Sequence, residues 1–156
     1  MAVHIKGNSS SRHFAVKSYD INGESIELLV NTTNPYDGIC PLDFMSGEWT
    51  TRFEVTASGS WSIELVPLTS LRVLTVPGTI EGNGDEVFLI NGGTPDTAKI
   101  IGNSSSRHFA VKSYGDDRDL LVNTTDPYES EVLVDGNAVI IEVISESKWS
   151  IEIFER

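Results

Sequence analysis

Cysteine occurs once in the 156 residues, so no internal disulfide holds this fold together. Cys40 has no companion thiol nearby and is followed by Pro41, and it reads as a passive thiol. Positive charge is scarce as well: 11 Lys and Arg stand against 23 Asp and Glu, for a net charge of −12. Such a chain is repelled by nucleic acid and by anionic membrane surfaces, and neither is an expected partner. No run approaches the ~18 apolar residues of a membrane-spanning helix. No signal peptide is visible where Met1-Ala2-Val3-His4 leads straight into strand-like sequence. Helical periodicity is missing too, since no window keeps apolar residues on one helix face over three turns. What remains is 39% apolar residues, enough for a packed core and too many for a disordered chain.

The most informative feature present is a repeat. Gly7–Tyr19 reads GNSSSRHFAVKSY, and Gly102–Tyr114 reads the same thirteen residues. Leu28–Thr33 and Leu120–Thr125 both read LLVNTT, Pro35-Tyr36 matches Pro127-Tyr128, and Trp61–Glu64 matches Trp149–Glu152. The blocks keep their order while the offset falls from 95 to 92 to 88, so two short deletions in turn-like segments separate the copies. The series points to an internal duplication. A turn and apolar strand, Glu81–Ile90, precede the second copy, and nothing equivalent precedes the first. The first module is therefore expected to lack a strand and to carry an open sheet edge unless another segment covers it.

Alternation of apolar and polar residues dominates both copies. Phe53 and Val55, then Trp61, Ile63 and Leu65, alternate with Glu54, Ser62 and Glu64, as in antiparallel strands with one buried face. Turn signals such as Asn22-Gly23, Asp37-Gly38, Ser58-Gly59 and Asp135-Gly136 punctuate the chain every eight to twelve residues. Strands are expected near 3–6, 12–19, 26–32, 39–44, 50–57 and 60–66, and again near 86–90, 97–101, 107–114, 119–124, 130–134, 138–145 and 148–154. Short strands at this spacing predict an all-β chain of two tandem antiparallel β-sandwich modules, jelly-roll or Ig-like. The modules are placed at 1–67 and 80–156. The segment 68–79 between them is too apolar for a loose linker and is expected to pack as a strand or clasp, most favourably on the first module's open edge.

The blocks Arg-His-Phe-Ala-Val-Lys-Ser-Tyr, Leu-Leu-Val-Asn with Pro-Tyr following, and Trp-Ser-Ile-Glu resemble tandem β-sandwich modules of secreted bacterial proteins. Those modules are similar to bacterial pre-peptidase C-terminal domains. Gly82-Asn83-Gly84-Asp85, Phe109, Val111, Leu121, Asn123, Tyr128, Trp149 and Ile151 fill the family's pattern. The first copy departs from it by lacking the leading Gly-Asp strand. The resemblance implies a non-catalytic accessory module, secreted or at the cell surface, and carries no ligand signature.

Candidate binding residues come from the repeat and from the aromatics. Arg12-His13 and Arg107-His108 offer one polar site per module for a carboxylate or a sugar, or else simply start a strand and bond to neighbouring turns. Trp49 has no counterpart in the second copy and is the better candidate for an exposed aromatic, whereas Trp61 and Trp149 are expected in the core. Tyr36 and Tyr128 are expected to anchor turns through their hydroxyls. His13 and His108 lack companions at ligand spacing, so no metal is expected. Asn83, Asp85 and Glu86, or Asp116, Asp117 and Asp119, carry oxygen atoms suited to calcium but not the EF-hand pattern. Gly-x-Ser-x-Gly is absent, and Asn-Ser-Ser-Ser reads as a self-capping turn. No enzyme and no cofactor are expected. The function read from sequence is a non-catalytic protein that binds a polysaccharide or a protein partner. The alternative is a structural subunit, a homo-oligomer that completes sheets between chains.

Overall fold

The computed structural model describes all 156 residues, and its strands follow the alternating segments of the sequence. The first unit, Met1–Leu68, contains β1 (Ala2–Gly7), β2 (Phe14–Tyr19), β3 (Ser25–Thr32), β4 (Tyr36–Pro41), β5 (Arg52–Thr56) and β6 (Trp61–Val66). They form two three-stranded antiparallel sheets, β4-β1-β6 and β3-β2-β5. Val3, Ile5 and Cys40 of one sheet share a buried cluster with Phe14, Val16 and Val30 of the other. Inward faces of two sheets closing on one core make a β-sandwich.

The second unit, Thr69–Arg156, adds strands before its copy of this pattern. A 3-10 turn at Leu68–Ser70 leads to β7 (Val73–Val76), β8 (Gly78–Asn83) and β9 (Glu86–Gly92). Next come β10 (Pro95–Gly102), β11 (Phe109–Tyr114), β12 (Arg118–Thr124), β13 (Tyr128–Leu133), β14 (Ile140–Ile144) and β15 (Lys148–Glu155). The sheets here are β13-β10-β15-β8 and β12-β11-β14-β9-β7. Strands β10 to β15 stand to one another as β1 to β6 do. Gly7 lies opposite Tyr36 and Trp61, and Gly102 lies opposite Tyr128 and Trp149. Both glycines are required by packing: a Cβ at Gly7 would sit 2.8 Å from the Phe14 ring, and one at Gly102 2.7 Å from Phe109.

Several expectations need correction. The apolar segment after Pro67 does not pair with the first unit, because β7 pairs in parallel with β9 of the second. Gly78–Asn83 is a strand that its small and polar residues do not announce. Strands β4 and β13 begin at Tyr36 and Tyr128, earlier than expected, so these tyrosines start strands and tilt against Phe14 and Phe109. The Tyr36 hydroxyl lies 3.2 Å from Cys40 Sγ. Trp149 is buried as expected, as are Phe14, Val16, Phe109, Val111 and Ile151 of the repeated blocks, while Leu29 and Leu121 are only half-buried. Each leucine is the extra residue of a β-bulge: Val16 faces Val30 but Lys17 faces Leu28, and Val111 faces Val122 but Lys112 faces Leu120. Ile63 is half-buried and Trp61 is exposed, for a reason that concerns the site.

Candidate functional site

The repeated Asn-Ser-Ser-Ser-Arg-His segment is a loop held by its own asparagine. Asn8 and Asn103 are buried and left-handed, with φ of 62° and 61°. Asn8 Nδ2 donates to the carbonyls of Arg12 (2.6 Å) and Asn34 (2.9 Å), and its Oδ1 accepts from the Arg12 N–H (3.0 Å). Asn103 does the same with Arg107 and Asp126 at the same three distances. The loop thus presents Arg12 and His13, or Arg107 and His108, on the surface. His13 Nε2 lies 3.0 Å from Asn31 Oδ1, and His108 Nε2 lies 3.1 Å from Asn123 Oδ1. Arg107 Nε is 3.8 Å from Glu146. The two His–Asn pairs are exposed and alike in the two units, whereas the Arg107–Glu146 pair belongs to the second.

Trp49 is 76% exposed. Its loop is fixed by Asp43, which accepts from the Thr50 N–H (2.9 Å) and hydroxyl (2.7 Å). The structure does not bring Trp49 to Arg12 and His13. His13 precedes the Phe14 end of β2, whereas the Trp49 loop returns at the Tyr19 end, where the Thr51 N–H donates to the Tyr19 carbonyl. A six-residue strand separates them, about 17 Å.

Chemistry-bearing clusters are absent elsewhere. No three His, Cys, Asp or Glu side chains are grouped to hold a metal ion. Asp85 accepts from the Ser145 N–H, Glu86 pairs with Arg72, and Asp116 accepts from Asn137. The buried Glu142 accepts from the Tyr114 hydroxyl at 2.7 Å, with Lys112 Nζ at 3.6 Å. Paired on both sides, it serves as a structural carboxylate.

The strongest asymmetry lies along one side of the first unit. In the second unit, β8 pairs with β15 and β9 with β14, adding one strand to each sheet. Trp149 lies opposite Gly82, where a Cβ would collide with the indole, and stacks on Phe88 at 6.0 Å and 17°. Its Nε1 donates to the Gly84 carbonyl at 2.9 Å. Arg72 clasps the pair of strands, donating to both Glu86 oxygens and to the Glu81 carbonyl. No strand takes either place beside β6 or β5. Trp149, Ile151 and Ile153 are buried, whereas Trp61 is 50% and Leu65 53% exposed and Ile63 is half-buried. Across the sandwich, Ile141 and Val143 are buried, but Phe53 and Val55 at the same places of β5 are half-buried. Sequence reasoning anticipates an open edge but places Trp61 in the core, because Trp-Ser-Ile-Glu is identical in both copies. Trp61 has no described strand beside it on the far side of β6, which the residues of its own block do not record.

No family model matches the chain, and no curated protein matches it. Among solved structures, the pre-peptidase C-terminal domain of a collagenase from Bacillus anthracis is similar to it, with a TM-score of 0.41 and 9% sequence identity. That similarity covers 53% of this chain and 92% of the collagenase domain. It is the same domain type that the repeated sequence blocks resemble.

Proposed function

We propose that this chain is a non-catalytic accessory protein, secreted or at the cell surface, whose first unit binds a protein partner by accepting strands along its open side. The observation that carries this reading is the contrast between Trp61 with Leu65, exposed, and Trp149 with Ile153, buried at the corresponding places. An uncovered sheet edge offers a row of unpaired N–H and C=O groups, and polypeptides that add a strand gain main-chain hydrogen bonds there. Half-exposed Phe53, Val55 and Ile63 supply apolar surface beside those groups. The location outside the cell rests on the resemblance of the repeated blocks to modules of secreted bacterial proteins. A non-catalytic role fits histidines bonded to asparagine side chains rather than to a nucleophile.

Hydrogen exchange on the free chain, with its mass measured in solution, tests the reading. The amides of 52–56 and 61–66 that point away from β2 and β1 are expected to exchange at least about a hundredfold faster than their counterparts in 140–144 and 149–153. Slow exchange of both strands in a monomer would mean that the side is not open, and would overturn the reading.

A further inference from the structure

We infer that each unit binds one uronate residue of an acidic polysaccharide at its Asn-Ser-Ser-Ser-Arg-His loop. Arg12, His13 and Asn31 form the site in the first unit, and Arg107, His108 and Asn123 form it in the second. None of these residues belongs to β5 or β6, so the inference stands apart from the strand-accepting reading.

The two units differ over much of their surfaces. The turn 20–24 and the loop 42–51 at one end of the first unit have 115–117 and 134–139 in their places, different in length and in sequence. The opposite end is alike. Of the side chains identical in both units and exposed in both, all but Leu28 and Leu120 lie there: residues 9–13, Asn31, Thr33 and Pro35, with their counterparts in the second unit. Packing accounts for identity at buried positions such as Phe14 and Phe109, but it constrains exposed side chains little. Ser11 and Ser106 add a second observation. Both have φ of 54°, a left-handed conformation that glycine or asparagine adopts more readily, and both copies nevertheless keep the hydroxyl.

The chemistry of the shared surface selects the ligand. Asn8 ties the loop to the turn after β3 through the Arg12 and Asn34 carbonyls, so the parts of the site are held together before anything binds. The Asn31 Oδ1 can only accept, so His13 Nε2 donates to it at 3.0 Å. In the neutral ring Nδ1 is then an acceptor, and the Asn31 Nδ2 is left to donate. The exposed Arg12 guanidinium suits a carboxylate. A sugar acid meets all three: its carboxylate accepts from Arg12, one hydroxyl oxygen accepts from Asn31, and another hydroxyl donates to His13. An acidic peptide brings the carboxylate without the hydroxyls. The shared surface is polar apart from Pro35 and Pro127, with no aromatic anchor on which a protein partner would seat. Two like sites on one chain also favour a ligand that repeats its acidic group. In the second unit Arg107 Nε lies 3.8 Å from Glu146, where the first unit has Ser58, so that site is the weaker.

The test titrates the isotope-labelled full chain with a galacturonic acid tetramer and follows its amide resonances. Shifts are expected at 9–13 and 31–35 and at 104–108 and 123–127, with the first set saturating at the lower concentration. R12A should abolish the first set alone and R107A the second alone. Both side chains are exposed, so each variant keeps its fold. E146S should bring the second site towards the affinity of the first. A neutral galactose tetramer should bind at least about tenfold more weakly. Absence of shifts at both loops with millimolar tetramer would overturn the inference, as would a first set unaltered by R12A. Equal binding of the neutral tetramer would remove the role of the carboxylate. Equal binding of a tetraglutamate peptide would overturn the assignment to a sugar, since the carboxylate alone would then suffice.

Discussion

Trp61 and Trp149 share the neighbours Ser-Ile-Glu and the same place at the start of a closing strand, yet only one has something to lie against. The Trp149 indole is enclosed by Gly82, Phe88 and the Gly84 carbonyl. Truncating it removes that packing and leaves a cavity, so Trp149→Ala should cost about 3–5 kcal/mol. Trp61 is half in water, and Trp61→Ala should cost about 1 kcal/mol or less. Urea unfolding of the two variants checks the contrast, and equal losses would show that the two sites are equally enclosed. The same loss of cover explains the two carboxylates on the neighbouring strands. Glu142 is buried with a 2.7 Å bond from Tyr114, while its counterpart Glu54 is exposed with Tyr19 at 3.4 Å.

At the scale of elements, the segment between the repeats belongs to the second unit. Leu74 and Val76 are buried in that unit's core, and β7 extends its five-stranded sheet. Leu74→Ala should cost about 2–5 kcal/mol and lower the unfolding midpoint of the second unit alone. Exchange-detected unfolding can separate the units, and a drop confined to the first would place the connector there instead. Alternation and turn residues make most strands legible in the sequence, and the repeat makes the pairing of equivalent strands legible with them. Two kinds of feature stay hidden. Gly78–Asn83 carries Ile80 as its one large apolar residue, because Gly82 makes room for an indole that lies far along the chain and Gly78 for the Thr75 carbonyl. Leu29 and Leu121 stand in runs that look fully apolar, but a bulge turns each partly out of the core, and a bulge leaves no mark on composition. The open side is legible as an absence, whereas the exposure of Trp61 depends on contacts from β8 and β9 that no local pattern records.

For the whole molecule, the two units differ in how much they bury. Seventeen buried side chains form the core of the second and seven that of the first. Smaller cores leave less to offset chain entropy, so the first unit is expected to unfold first. In urea its amides should lose protection at a midpoint roughly 1 M or more below that of the second unit. A single coincident transition at all amides would contradict this. The charge of −12 favours solubility.

The Asn-Ser-Ser-Ser-Arg-His loop has a further consequence. Its two copies agree in sequence, in the left-handed turns at Asn8 and Ser11 or Asn103 and Ser106, and in the three bonds of the buried asparagine. To an antibody the chain therefore displays one epitope twice. A monovalent Fab raised against the folded loop would saturate at two per molecule, and a ratio of one would report that a single loop had lost its shape.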